Sequence, residues 1–112
     1  MNLSVHVTDA AHGVPAADLQ VGLRRITVSG WIDLAEERTG PDGRFTALLG
    51  ALYGSTTFQL ELDIARYYSV LGSVPLFPRV IMLFRVGDTD EDLHLPLLIS
   101  PNLLVAYRGQ CQ

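Results

Sequence analysis

The amino-acid sequence predicts an all-β protein, an antiparallel β-sandwich of about eight short strands with one short helix. Three observations lead there. Apolar residues recur at every second position in stretch after stretch, the period of a strand with one buried face. Residues that favour turns, above all Gly, Pro and Asp, separate those stretches at short intervals. Only the stretch from Asp63 to Leu71 carries helix punctuation at both ends.

The elements follow in order. Leu3, Val5 and Val7 alternate with Ser4, His6 and Thr8, so the first strand turns His6 away from its aliphatic face. Asp9 to Pro15 reads as a loop, with Gly13 able to take a positive φ. Leu19, Val21 and Leu23 resume the alternation and run on to Ile26. Thr27 to Gly30 is a turn, and Trp31 to Leu34 begins a third strand. Gly40-Pro41-Asp42-Gly43 is a tight turn that delivers Arg44 to Leu48 as the fourth. Phe58, Leu60 and Leu62 mark the fifth. Asp63 can cap the helix and Gly72 can stop it. Arg79 to Val86, Leu93 to Ile99 and Leu103 to Arg108 complete the set.

Composition narrows the function. The 112 residues are expected to form one domain, 1–112, without disulfide staples. With 48% hydrophobic and 18% charged residues the chain is not of the disordered class. No apolar run reaches the ~20 residues of a membrane span. A net charge of -4 argues against nucleic acid as a partner, since binding phosphate needs a basic face. All eight basic residues are arginine, which removes lysine Schiff-base chemistry. The lone Cys111 has no internal disulfide partner, and Met1-Asn2 leads directly into a strand pattern, so a cytoplasmic location is expected. His/Cys spacings typical of zinc sites are missing from the sequence, so no metal and no cofactor are expected.

Four side chains suggest chemistry, and each has an ordinary alternative. His6 lies on the polar face of a strand, where a histidine hydrogen-bonded to a neighbour is common. His94 opens an aliphatic strand after the acidic run Asp88 to Asp92, and could simply pair with one of those carboxylates. Arg44 leaves a turn, where a solvated edge arginine is usual. Arg108, between Tyr107 and Gly109, could be a charge that discourages edge-to-edge pairing. His12 lies in a polar loop and receives no role.

The motifs holding these residues change the weighting. Leu3-Ser4-Val5-His6-Val7, with Gly13 and Pro15-Ala16-Ala17, resembles the opening LSxHVLDxxxGxPA segment of the transthyretin-related proteins. Thr39 to Arg44 resembles their TxxDGR, Phe77-Pro78 their FYP, and His94 to Pro101 their HVPLLLSP. Tyr107-Arg108-Gly109 is similar to the first three residues of the terminal YRGS. In this order over nearly the whole chain, the resemblance is to the 5-hydroxyisourate hydrolase branch. It implies a transthyretin-like sandwich, a homotetramer built as a dimer of dimers, and a small-molecule substrate. It also implies His6, Arg44 and His94 as the catalytic set, with Tyr107, Arg108, Gly109 and, in the serine position, Gln110 binding substrate.

Such a set suits ring-opening hydrolysis without a metal. An imidazole can exchange a proton with water near neutral pH, and a guanidinium offers planar donors to an oxyanion. Three departures lie beside the implied site. Gln110 stands in place of serine, Asp92-Leu93-His94 in place of His-Tyr-His, and Leu103-Leu104-Val105-Ala106 in place of the usual polar approach to the last motif. They suit a second reading, in which the same cluster drives a cyclisation or ring rearrangement of a less polar molecule. A third reading is a non-catalytic carrier like transthyretin itself, a branch that lacks the histidine and arginine set.

Overall fold

A computed structural model describes residues 1–50, 52, 54–87 and 91–110. Two sheets face each other across an aliphatic core. The strands are β1 (Asn2–Asp9), β2 (Val14–Pro15), β3 (Gln20–Thr27), β4 (Gly30–Arg38), β5 (Arg44–Leu48), β6 (Thr56–Asp63), β7 (Arg79–Val86), β8 (Leu93–Ser100) and β9 (Leu103–Ala106); one helix, α1 (Ile64–Val70), follows β6. The second sheet, in the order β4-β3-β6-β7, is antiparallel throughout. The first is ordered β2-β1-β8-β9, with β5 also paired to β1. Among the described residues no helix is long and apolar enough to cross a membrane.

The alternation read from the sequence becomes the core. Leu3, Val5 and Val7 of β1 meet Leu95, Leu97 and Ile99 of β8 on the inner face, opposite Val21, Leu23, Phe58, Leu60 and Leu62 of the other sheet. The partners of the first sheet were less legible. β1 and β8 run parallel, with Leu3 opposite Leu93 and Asp9 opposite Ile99, an exception within an otherwise antiparallel sandwich. The other edge of β1 is divided: β5 occupies Asn2 to His6 and the two-residue β2 occupies Thr8 and Asp9. Between them, Val7 donates its N–H to Gly43 O at 2.9 Å and accepts the N–H of Ala16 at 2.9 Å. Gly43 has φ +75, and a Cβ there would stand 2.4 Å from Val7 O, so this junction demands glycine. Thr39 secures the same region from a buried position, donating to Ala16 O and accepting the N–H of Leu19.

The helix starts where its cap was expected: Asp63 accepts the N–H of Arg66 at 3.1 Å. Its buried face carries Ile64 and Tyr68. Asp9, expected in a loop, is instead the fully buried last residue of β1. Its carboxylate accepts from Tyr68 Oη at 2.8 Å, Tyr67 Oη at 2.9 Å, His12 Nδ1 at 2.7 Å, and the backbone N–H groups of Ala11 and His12. Burial alone would raise this carboxyl, but the bonds from His12 and the tyrosines outweigh it and hold Asp9 below the usual carboxylate range. Burial, then the bond to Asp9, push both tyrosine hydroxyls well upward. His12 therefore has a structural partner, and Asp9 ties β1 to the helix.

Candidate active site

Residues paired across a sheet share a face, so the register of the first sheet assembles its outer surface row by row. In one row Arg44 of β5 lies opposite His6 of β1, which lies opposite Pro96 of β8. In the next, Thr46 is opposite Ser4, Ser4 opposite His94, and His94 opposite Gly109 beyond the end of β9. A cleft of about 580 Å³ opens over these rows, lined by Arg44, His94, Tyr107, Gly109 and Gln110 together with Asn2, Ser4, Asp92, Leu93 and Pro96.

Each side chain has a local reason for its position. Asp42 Oδ1 accepts the N–H of Arg44 at 3.1 Å, which closes the turn and starts β5. Asp42 Oδ2 stands 3.6 Å from Arg44 Nε, and both side chains are about half exposed. So loose a pair is worth little and leaves guanidinium donors for a ligand. His94 is half-buried, its Nδ1 3.2 Å from Ser4 Oγ. Asp92 Oδ1 accepts the N–H of Asn2 at 2.9 Å, which holds the approach to β8 against the start of β1.

The chain beyond β9 stays on the sheet. Tyr107 N–H reaches Pro96 O at 3.3 Å and Gly109 N–H reaches His94 O at 2.8 Å. Pro96 has no N–H to return to Tyr107, so the ladder loosens there and regular pairing stops at Ala106, two residues before the predicted end. Gly109 fits because it has no side chain: a Cβ would lie 2.7 Å from Pro96 Cγ and 2.9 Å from His94 Cδ2.

Of the residues singled out in the sequence, Arg44, His94, Tyr107, Gly109 and Gln110 meet in the cleft. His6 is half-buried in the adjoining row beside Arg44 and does not line it. Arg108 is exposed and is likewise not among the lining residues. Leu93, whose side chain belongs to the core, reaches the cleft at its edge, and Ser4, Asn2, Asp92 and Pro96 of the outer face were missed. The period of two would have found those four, since each lies an even number of positions from His6 or His94. No group of three His, Cys, Asp or Glu side chains that could hold a metal occurs among the described residues.

A small two-sheet sandwich with a polar cleft on one outer face is thus the class of protein that fold and site define. The sequence profile of the HIUase/Transthyretin family matches residues 3–109, and the chain belongs to this family. The 5-hydroxyisourate hydrolase of Deinococcus radiodurans is 38% identical over 113 residues, covering 96% of this chain and 94% of that protein. The 5-hydroxyisourate hydrolase of Mus musculus is 34% identical over 110 residues, with 96% and 93% covered. The solved structure of Klebsiella pneumoniae 5-hydroxyisourate hydrolase superposes with a TM-score of 0.82 at 28% identity, covering 97% of this chain and 98% of that one.

Proposed function

We propose that this protein is a metal-independent hydrolase of the 5-hydroxyisourate type, opening a cyclic ureide ring with histidine-activated water. The observation that carries the reading is the convergence of Arg44, His94, Tyr107, Gly109 and Gln110 on one cleft, with His6 in the adjoining row. Relatives covered over nearly their whole length and named for this hydrolysis support it.

The chemistry follows from the side chains. One imidazole takes a proton from water, and the resulting hydroxide adds to a ring carbonyl. Arg44 offers planar donors to the oxygen on which charge builds. As the C–N bond breaks, the departing nitrogen takes a proton from a histidine. His94 in the cleft and His6 from the adjoining row share these proton transfers; Tyr107, Gly109 and Gln110 confine the substrate, and Arg108 adds its charge from beside them.

Assembly as a homotetramer belongs to the same proposal. Leu98, Leu103 and Val105 share the outer face beside the cleft, and all are more than a third exposed in the single chain. Exposed aliphatics on a sheet face are covered in symmetric assemblies. Light scattering should give four times the chain mass; an active monomer would contradict a site shared between subunits. A cytoplasmic location is proposed with it, from the single cysteine.

The test is the decay of 5-hydroxyisourate, generated by urate oxidase and followed by ultraviolet absorbance. The protein should accelerate it, and His94→Ala should remove the acceleration. A folded protein without effect would favour the second reading, a cyclisation or rearrangement on another substrate. The presence of Asp92 and Gln110 in the cleft, where the resembled motifs carry histidine and serine, is what keeps that reading in play.

A further inference from the structure

The imidazole of His94 is held along two of its edges. On one side, Nδ1 lies 3.2 Å from Ser4 Oγ, the two residues standing opposite each other in the parallel β1–β8 ladder. On the other, the Cδ2 edge packs against the backbone of Gly109, close enough that a Cβ there would approach it to 2.9 Å. Cγ carries the link to the chain. The two ring atoms left over are Cε1 and Nε2, and they form the edge of His94 available to the cleft it lines.

Which nitrogen of a neutral imidazole carries the proton is set by the hydrogen bond made at the other. A serine hydroxyl can donate or accept, but only one arrangement serves a histidine that must take a proton from water. If Ser4 donated to Nδ1, Nε2 would already carry its hydrogen and could not act as a base. If Ser4 accepts from Nδ1–H, the lone pair of Nε2 faces the cleft. After proton uptake the imidazolium has N–H groups on both nitrogens, and the same acceptor still fits. The ring then completes its cycle without reorienting.

We propose that Ser4 is a positioning residue whose Oγ accepts Nδ1–H of His94 and so presents Nε2 to the cleft as the acceptor of a proton from water. Both the direction of this hydrogen bond and its effect on turnover rest on the reading above, in which His94 takes a proton; the nitrogen that carries hydrogen can be read without a substrate. The experiment is nitrogen-15 NMR of histidine-labelled protein, with the kinetics of Ser4→Ala and Ser4→Thr measured beside it. In the parent protein, neutral His94 should be protonated at Nδ1. Ser4→Ala should shift it toward the Nε2–H form and lower kcat by roughly 10- to 100-fold with KM little changed, a part of the ~10²–10⁴ that proton transfer contributes. Ser4→Thr, which keeps the hydroxyl, should retain both. Unchanged His6 and His12 signals certify the fold in each variant. A neutral His94 protonated at Nε2 in the parent, or a tautomer and kcat indifferent to Ser4→Ala, would overturn the proposal. A tautomer that shifts as expected in a protein that does not turn over 5-hydroxyisourate would uphold the positioning role and refute the substrate.

Discussion

Replacing Asp9 by asparagine changes one buried oxygen to an amide and leaves the shape of the side chain almost untouched. The oxygen that accepts Tyr68 Oη and the N–H groups of Ala11 and His12 can be kept as the amide carbonyl. The other, which accepts Tyr67 Oη and His12 Nδ1, becomes a donor facing donors. Hydrogen bonds to a charged group contribute about 1.5–3 kcal/mol each. The Tyr67 hydroxyl can turn to accept, and His12 is half exposed to water, so part of the loss is recovered. The net expectation is a destabilisation of about 2–3 kcal/mol. At the usual entropy of unfolding per residue, a chain of 112 residues loses about 4 °C of Tm per kcal/mol, so Tm should fall by about 10 °C. The gap should also depend on pH. Because the folded carboxyl is held below its ordinary value, its contribution is complete above about pH 3.9 and is lost as pH falls through the lower folded value. Denaturant titrations at a series of pH values read both effects. A loss below about 0.5 kcal/mol at neutral pH, or a gap that persists undiminished into strong acid, would refute the account of Asp9 as an ionised hub.

The remaining predictions concern the cleft and its frame. Arg44→Ala should lower kcat by roughly 10²–10³ in the 5-hydroxyisourate assay while leaving the far-ultraviolet dichroism intact, and Arg44→Lys should recover only part, since an ammonium lacks the planar fork. Gly43→Ala combines a left-handed backbone with a collision against Val7 O, so it should cost at least about 2 kcal/mol in a denaturant titration and also lower activity through Arg44. Dialysis against a chelator should leave turnover unchanged, as measured by the same absorbance decay.

What the sequence disclosed and what it withheld divide along a physical line. β1, β3, β6 and β8 were legible because each buries one face, and burying one face writes a period of two into the residues themselves. The cap at Asp63 was legible for the same local reason. The parallel pairing of β1 with β8 leaves no local trace, because the partners are ninety positions apart, as Ser4 and His94 are. β2 was missed because two exposed residues carry no period. Asp9 looked like a loop residue because the tyrosines that justify its burial lie 58 and 59 positions away. The candidate site shows the same split. Motifs pointed to Arg44, His94 and the Tyr107 segment, whereas the place of Ser4 and Asp92 in the cleft, and the offset of His6 from it, depend on register alone.

The pairing pattern also sets an order of assembly. In the second sheet, β3 and β4 form a hairpin across two residues, and β6 meets β7 across a short helical excursion, so much of that sheet closes through nearby contacts. The first sheet must wait, because β1 finds β5 about forty residues later and β8 about ninety. Topology with distant partners is slow to form. Both imidazoles and the guanidinium stand on that late sheet, so amide protons of β3 and β6 should gain protection during refolding before those of β1 and β8. Activity would then be the last property the refolding chain recovers.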